Sequence, residues 1–93
     1  MTTHPTRPDV LTVARALAQL CAAGTTGTVR YTGTRLAREL AAATGYPYTR
    51  EEVDPAVRAA CRVLTETYGV YADYVTEPGR EGKGCRWRLS VQP

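Results

Sequence analysis

Three groups of basic residues carry the strongest chemical signal in this chain of 93 residues. Arg35 and Arg38 are three apart, Arg50, Arg58 and Arg62 form a second set, and Arg80, Lys83, Arg86 and Arg88 crowd the C-terminal quarter. Eleven of the twelve basic residues are arginine. A guanidinium is planar and permanently charged, and it donates bidentately to a phosphate or to the O6/N7 edge of guanine, which an ammonium cannot do. The chain also lacks Ile, Phe and Asn, so a skewed base composition would give the same preference. The arginines therefore hint at partner chemistry without fixing it.

Other chemistries find no constellation. His4 is the only histidine and sits near the N-terminus. No Ser/His/Asp or Cys/His arrangement, no phosphate-cradling glycine loop and no carboxylate pair beyond helix-capping positions is visible, so no enzyme activity is expected. Cys21, Cys61 and Cys85 are widely separated, with no metal-ligand spacing, and each falls on an apolar face. They read as small buried hydrophobes, and one disulfide among them is left open. No cofactor or metal is expected.

Net charge is +3. It is unevenly spread: residues 1–45 carry five arginines against Asp9 and Glu39, residues 46–69 carry three against four acids, and residues 70–93 carry four basic residues against three acids. The length suits one domain with a modest core. No apolar run reaches membrane-spanning length, and residues 1–8 lack the pattern of a secretory signal. The expectation is a cytoplasmic protein, with a flexible tail over residues 1–8 and one domain over 9–93.

The element that must position the middle arginines runs from Tyr48 to Gly69. Thr49 and Glu52 make a capping box, and Tyr48 and Val53 occupy the positions of a hydrophobic staple. Val53, Val57, Ala60, Cys61, Leu64 and Tyr68 share one face, while Arg50, Glu51, Arg58, Ala59, Arg62 and Glu66 share the other. Gly69 supplies the stop. Pro55 lacks an N–H and opposes helix continuity, and Asp54-Pro55 is itself a good start. Either a kink near Asp54 or a single turn followed by the main helix is expected, and the staple favours one element from Thr49.

Two helices precede it. The first opens at Asp9, with Val10, Val13, Ala14, Leu17, Leu20 and Cys21 as its stripe and Ala22-Ala-Gly24 as its end. Thr28–Tyr31 is short and β-favouring. The second helix starts at Thr32 with a Tyr31/Leu36 staple, turns Leu36, Ala37, Leu40 and Ala41 inward, and stops at Thr44-Gly45. After Gly69 the period falls to two. Val70–Val75 and Cys85–Val91 read as strands, and Cys85, Trp87, Leu89 and Val91 alternate with Arg86, Arg88 and Ser90. Thr76–Gly84 reads as an exposed hairpin loop.

In element order, with Arg35-Leu-Ala-Arg-Glu-Leu40, Val57–Leu64, Tyr68-Gly-Val70 and Cys85-Arg-Trp-Arg-Leu89 as the carrying residues, the chain resembles the winged helix-turn-helix family over roughly residues 9–91. The resemblance implies an α+β fold with three helices, a short strand after the first helix and a C-terminal β-hairpin wing. It implies double-stranded DNA as partner, the third helix in the major groove, the wing on the backbone, and a small transcriptional regulator acting as a homodimer. The residues implied are Arg35, Arg38, Thr49, Arg50, Arg58, Arg62, Arg80, Lys83, Arg86 and Arg88. Against this, Arg58 can pair with Asp54 and Arg62 with Glu66 at i, i+4 spacing, as on any solvated helix face. Trp87 reads as core beneath the hairpin, and only one of Tyr71 and Tyr74 can be core. The alternative is a winged helix used as a protein–protein adaptor in a replication, segregation or transcription complex, favoured by the near-neutral third helix.

Overall fold

The computed structural model describes residues 6–24, 26–78 and 85–92, and of Glu77, Pro78, Cys85 and Arg86 it describes the backbone. Its elements are α1 (Val10–Ala22), β1 (Thr28–Thr32), α2 (Gly33–Thr44), α3 (Arg50–Tyr68), β2 (Tyr71–Pro78) and β3 (Cys85–Gln92). The result is an α+β domain of three helices and one three-stranded antiparallel sheet of order β1-β3-β2. No helix among the described residues is long and apolar enough to cross a membrane.

Each helix starts where a local side chain takes up free backbone N–H groups. The Asp9 carboxylate accepts from the Thr12 N–H at 2.8 Å, and Thr32 Oγ1 accepts from the Arg35 N–H at 3.2 Å. At α3 the capping box closes: Thr49 Oγ1 accepts from the Glu52 N–H at 3.3 Å, and Glu52 Oε1 accepts from the Thr49 N–H at 3.0 Å. α3 then runs unbroken through Pro55, so the competing start at Asp54 is not used. The local caps at Thr49 and the burial of Val53 and Val57 on either side of the proline hold the helix together across it. Gly69 ends α3 with φ 64°, and the Val70 N–H returns to the Leu64 carbonyl at 2.9 Å, turning the chain into β2.

The core lies where the three helices meet one face of the sheet. Leu17, Cys21, Leu36, Leu40, Val57 and Leu89 are almost wholly enclosed, and each large apolar side chain so buried contributes about 1.5–3 kcal/mol. Cys21 and Cys61 are free buried thiols, both pushed up to about 11 by burial, and Cys21 Sγ lies 3.5 Å from the Leu89 carbonyl. The side chain of Cys85 lies outside the described residues.

Several boundaries and faces differ from the sequence reading. Leu20 and Ala41, expected to face inward, are only half-buried and stay outside the core. β2 extends to Pro78, because Thr76, Glu77 and Pro78 pair with Trp87, Arg86 and Cys85 of β3. Tyr68 does not belong to the buried stripe: it is 57% exposed, in the last turn of α3. Ser90 lies on the polar side of β3 and is nonetheless buried, its hydroxyl 2.9 Å from Thr28 Oγ1. A small side chain on a central strand is covered by the residues flanking it.

The registers divide the sheet. Trp87 and Leu89 of β3 stand opposite Tyr31 and Val29 of β1 and Thr76 and Tyr74 of β2. This is the helix-facing side, since directly opposed residues share a face. Arg88 and Ser90 stand opposite Arg30 and Thr28 of β1 and Val75 and Asp73 of β2, on the outer side.

Candidate nucleic-acid interface

The first turn of α2, the first turns of α3 and the helix-facing side of the β2–β3 ribbon come together around Gly33. A Cβ on Gly33 would stand 3.0 Å from Arg50 Nη2, 3.2 Å from Arg50 Nε and 3.2 Å from Trp87 Nε1. A side chain there would press the guanidinium and the indole aside by a few tenths of an ångström. Arg50, the first residue of α3, is thus laid across the N-terminus of α2, and the Trp87 indole N–H arrives at the same point. A helix N-terminus carries unpaired N–H groups and a positive dipole end, so three kinds of donor converge there.

Trp87 continues into a stack. Its ring lies parallel to Tyr74, with centroids 4.7 Å apart. The Arg58 guanidinium sits 5.5 Å from the Tyr74 centroid. Asp54, one turn before Arg58, accepts from its Nε at 2.8 Å, while Asp54 Oδ1 is buried with no hydrogen-bond partner. The Arg58 guanidinium is held in its charged form above all by the Asp54 hydrogen bond. Burial, followed by the charge of Asp54, raises the Tyr74 phenol. Trp87 is half-buried: it forms the wall of this cluster as well as part of the core.

The second anchor of the region is Glu52. Besides closing the cap, its carboxylate accepts from the Tyr46 hydroxyl at 2.9 Å and from the Arg7 guanidinium. The Thr49 N–H first, then the Tyr46 hydroxyl and Arg7, hold the Glu52 carboxyl down to about 2. Arg7 falls in the segment expected to be a free tail, yet it is tied to the first turn of α3.

The expected site residues divide as follows. Arg35 and Arg38 are exposed on α2, Arg35 at 4.8 Å from the Tyr31 ring centroid and 3.9 Å from Glu39. Thr49 is committed to the cap, and Arg50 and Arg58 join the Gly33–Trp87–Tyr74 cluster. Arg62 is exposed, and its expected pairing with Glu66 does not form among the described residues. Arg88 does not join them. It lies on the outer side of the sheet, 3.9 Å from Asp73. Trp87 and Leu89 occupy the helix-facing side of β3, so strict alternation sends Arg88 the other way. Arg80 and Lys83 lie outside the described residues, and of Arg86 only the strand position, opposite Thr32 and Glu77, is described.

The sequence reading missed Gly33, Asp54 and Tyr74 as members of the cluster. A signal for the first was available: Gly33 follows the N-cap Thr32 directly, where nothing about helix formation calls for glycine. No protein-family model, curated protein or solved structure matches the chain.

Proposed function

We propose that the protein is a winged helix-turn-helix domain that binds double-stranded DNA, with the N-terminus of α2, the first turns of α3 and the helix-facing side of the β2–β3 ribbon against the duplex. Supporting the fold reading, the elements follow the order helix, strand, helix, helix, two strands, and β1 pairs with β3 to close the sheet. The observation that carries the functional reading is the convergence at Gly33 of the Arg50 guanidinium, the Trp87 indole and the α2 N-terminus. These are donors suited to one backbone phosphate. Arg35 and Arg38 on α2 and Arg62 on α3 extend the positive surface, and Arg62 is the α3 arginine left to reach a base edge. Two-fold symmetric half-sites follow where two copies bind together.

A fluorescence-anisotropy titration of genomic duplexes at two salt concentrations tests this. The log of the affinity is expected to fall linearly with the log of salt, by about 0.9 for each phosphate neutralised. Arg50→Ala and Arg62→Ala are each expected to weaken binding. A salt-independent affinity, or no binding to any duplex, overturns the proposal.

One observation favours a second reading, the protein–protein adaptor. α3 sets the exposed Arg50, Arg58 and Arg62 against the exposed Glu51 and Glu66 and the half-buried Asp54, with no net charge. Capture of a specific protein after nuclease treatment, with no duplex binding by the purified chain, would establish it.

A further inference from the structure

α1, the end of α3 and the residue leading into β2 enclose an apolar trough, made of two overlapping hollows of about 430 and 290 Å³. Ala18 and Ala22 of α1 form one wall, and Leu64 and Val70 the other. On the rim stand Leu11 and Tyr68, two of the three large apolar side chains exposed among the described residues, at 39% and 57%. The one charged residue on the lining is Arg15, which is itself exposed. Among the described residues Arg15 makes no hydrogen bond, ion pair or ring contact, and Asp9 acts on it only through charge at a distance. The Tyr68 ring has no aromatic or cationic neighbour among them either. The trough thus offers an apolar recess, a projecting ring and a cation, none of them engaged.

We propose that a second copy of this chain covers the trough, related to the first by a two-fold axis. A surface that pairs with itself must carry both halves of every contact, because residue i meets j of the partner while j meets i. This surface does so in shape and in charge. Leu11 and Tyr68 project, and the short side chains of Ala18 and Ala22 leave room to receive them. Arg15 supplies a cation and Tyr68 the face of a ring, so each guanidinium lies over the other copy's Tyr68, and the contact is made twice. No acid lines the trough, so a basic partner finds no counter-charge there. From Leu11 to Ala22 the trough is about 16 Å long, which places the pairing among small, concentration-dependent interfaces. Arg50 opens α3 and Tyr68 ends it, about 27 Å apart along the axis, so pairing leaves the Gly33 cluster of each copy uncovered.

The test is sedimentation velocity of the full chain without nucleic acid, from about 10 μM to about 1 mM, a range that reaches even weak complexes. The sedimentation coefficient is expected to rise with concentration towards that of a dimer. Tyr68→Ala and Ala22→Arg, both at exposed positions, are each expected to weaken association about 10-fold or more, with thermal melts showing that the variants fold. Tyr68→Phe and Arg15→Lys keep the ring and the cation, and are expected to retain most of it. A chain that stays monomeric at about 1 mM overturns the proposal, and so does association untouched by both Tyr68→Ala and Ala22→Arg. A monomer that instead binds a synthetic amphipathic helix with glutamates beside its apolar stripe, and loses it on Tyr68→Ala, overturns it in favour of a foreign helix. Because association is measured without DNA, its failure leaves the duplex reading standing, and failure of duplex binding leaves this proposal standing.

Discussion

Arg58 and Arg88 flank the same sheet, and their surroundings differ in kind. On the helix side, Arg58 is fixed by a 2.8 Å bond to Asp54 and lies over a Tyr74–Trp87 stack that continues to Gly33 and Arg50. On the outer side, Arg88 has Asp73 at 3.9 Å and Arg30 as its cross-strand neighbour, over a floor of hydroxyls. The first arrangement holds its donors in place before any ligand arrives, so little rotamer freedom is lost on binding. The second sets one cation beside another across the strand pair. A one-residue change of register would exchange the two faces, so their difference is set by which residues of β3 are apolar.

The largest test of this contrast removes the wall of the helix-side cluster. Trp87→Ala is expected to cost about 3 kcal/mol of stability, since it deletes a large half-buried ring from beneath the ribbon. It is also expected to abolish duplex binding at temperatures where the variant remains folded. Urea denaturation followed by anisotropy on the folded fraction measures both.

Gly33→Ala is a subtler break. Alanine at the first position of α2 improves helix propensity by up to about 1 kcal/mol, but its Cβ enters the space of Arg50 Nη2 and Trp87 Nε1. Stability is expected to hold or rise while duplex affinity falls about 5- to 10-fold, a loss of about 1 kcal/mol. A thermal melt beside the duplex titration separates the two effects, and an unchanged affinity would show that Arg50 contributes nothing at that point.

Acid sharpens the contrast from another side. Glu52 has its carboxyl depressed to about 2 by the cap, Tyr46 and Arg7, so its contribution is present above the ordinary carboxylate range and is lost as pH falls from about 4.5 towards 2. Glu52→Gln is expected to flatten stability over that window and to leave the outer face unaltered, as denaturation midpoints between pH 2.5 and 6 would show. The smallest effect is expected from Asp54→Asn. It releases Arg58 from its partner and removes one negative charge beside the duplex, so affinity should rise about 2- to 5-fold. A fall would mean that the Asp54 bond is needed to orient Arg58.

What could be read in the sequence follows the range of the interactions. The caps at Asp9, Thr32 and Thr49, the Glu52 box and the Gly69 stop all act within a few residues, and each forms as their spacing indicates. The alternation of β3 was equally local and held for Trp87, Leu89 and Val91. The pairing of Thr28–Thr32 with residues about sixty positions later was not legible, because no short pattern says which strand a five-residue segment joins. Arg88 shows the consequence. Its side of β3 was visible in the alternation, but which side α3 covers depends on packing between distant elements. The Gly33 cluster is similar: Arg50, Trp87 and Tyr74 are far apart in sequence, and only the misplaced glycine marked their meeting point.

Pro55 has a dynamic corollary. It cannot give an amide hydrogen to the Glu51 carbonyl, so α3 lacks one rung between its opening turn and its body. The opening turn, held by Thr49, Glu52, Tyr46 and Arg7, can then fray as a unit without unwinding the segment anchored by Val57, Ala60 and Leu64. Deuterium uptake should therefore be faster at Val53 and Asp54 than at Ala60, Cys61 and Leu64.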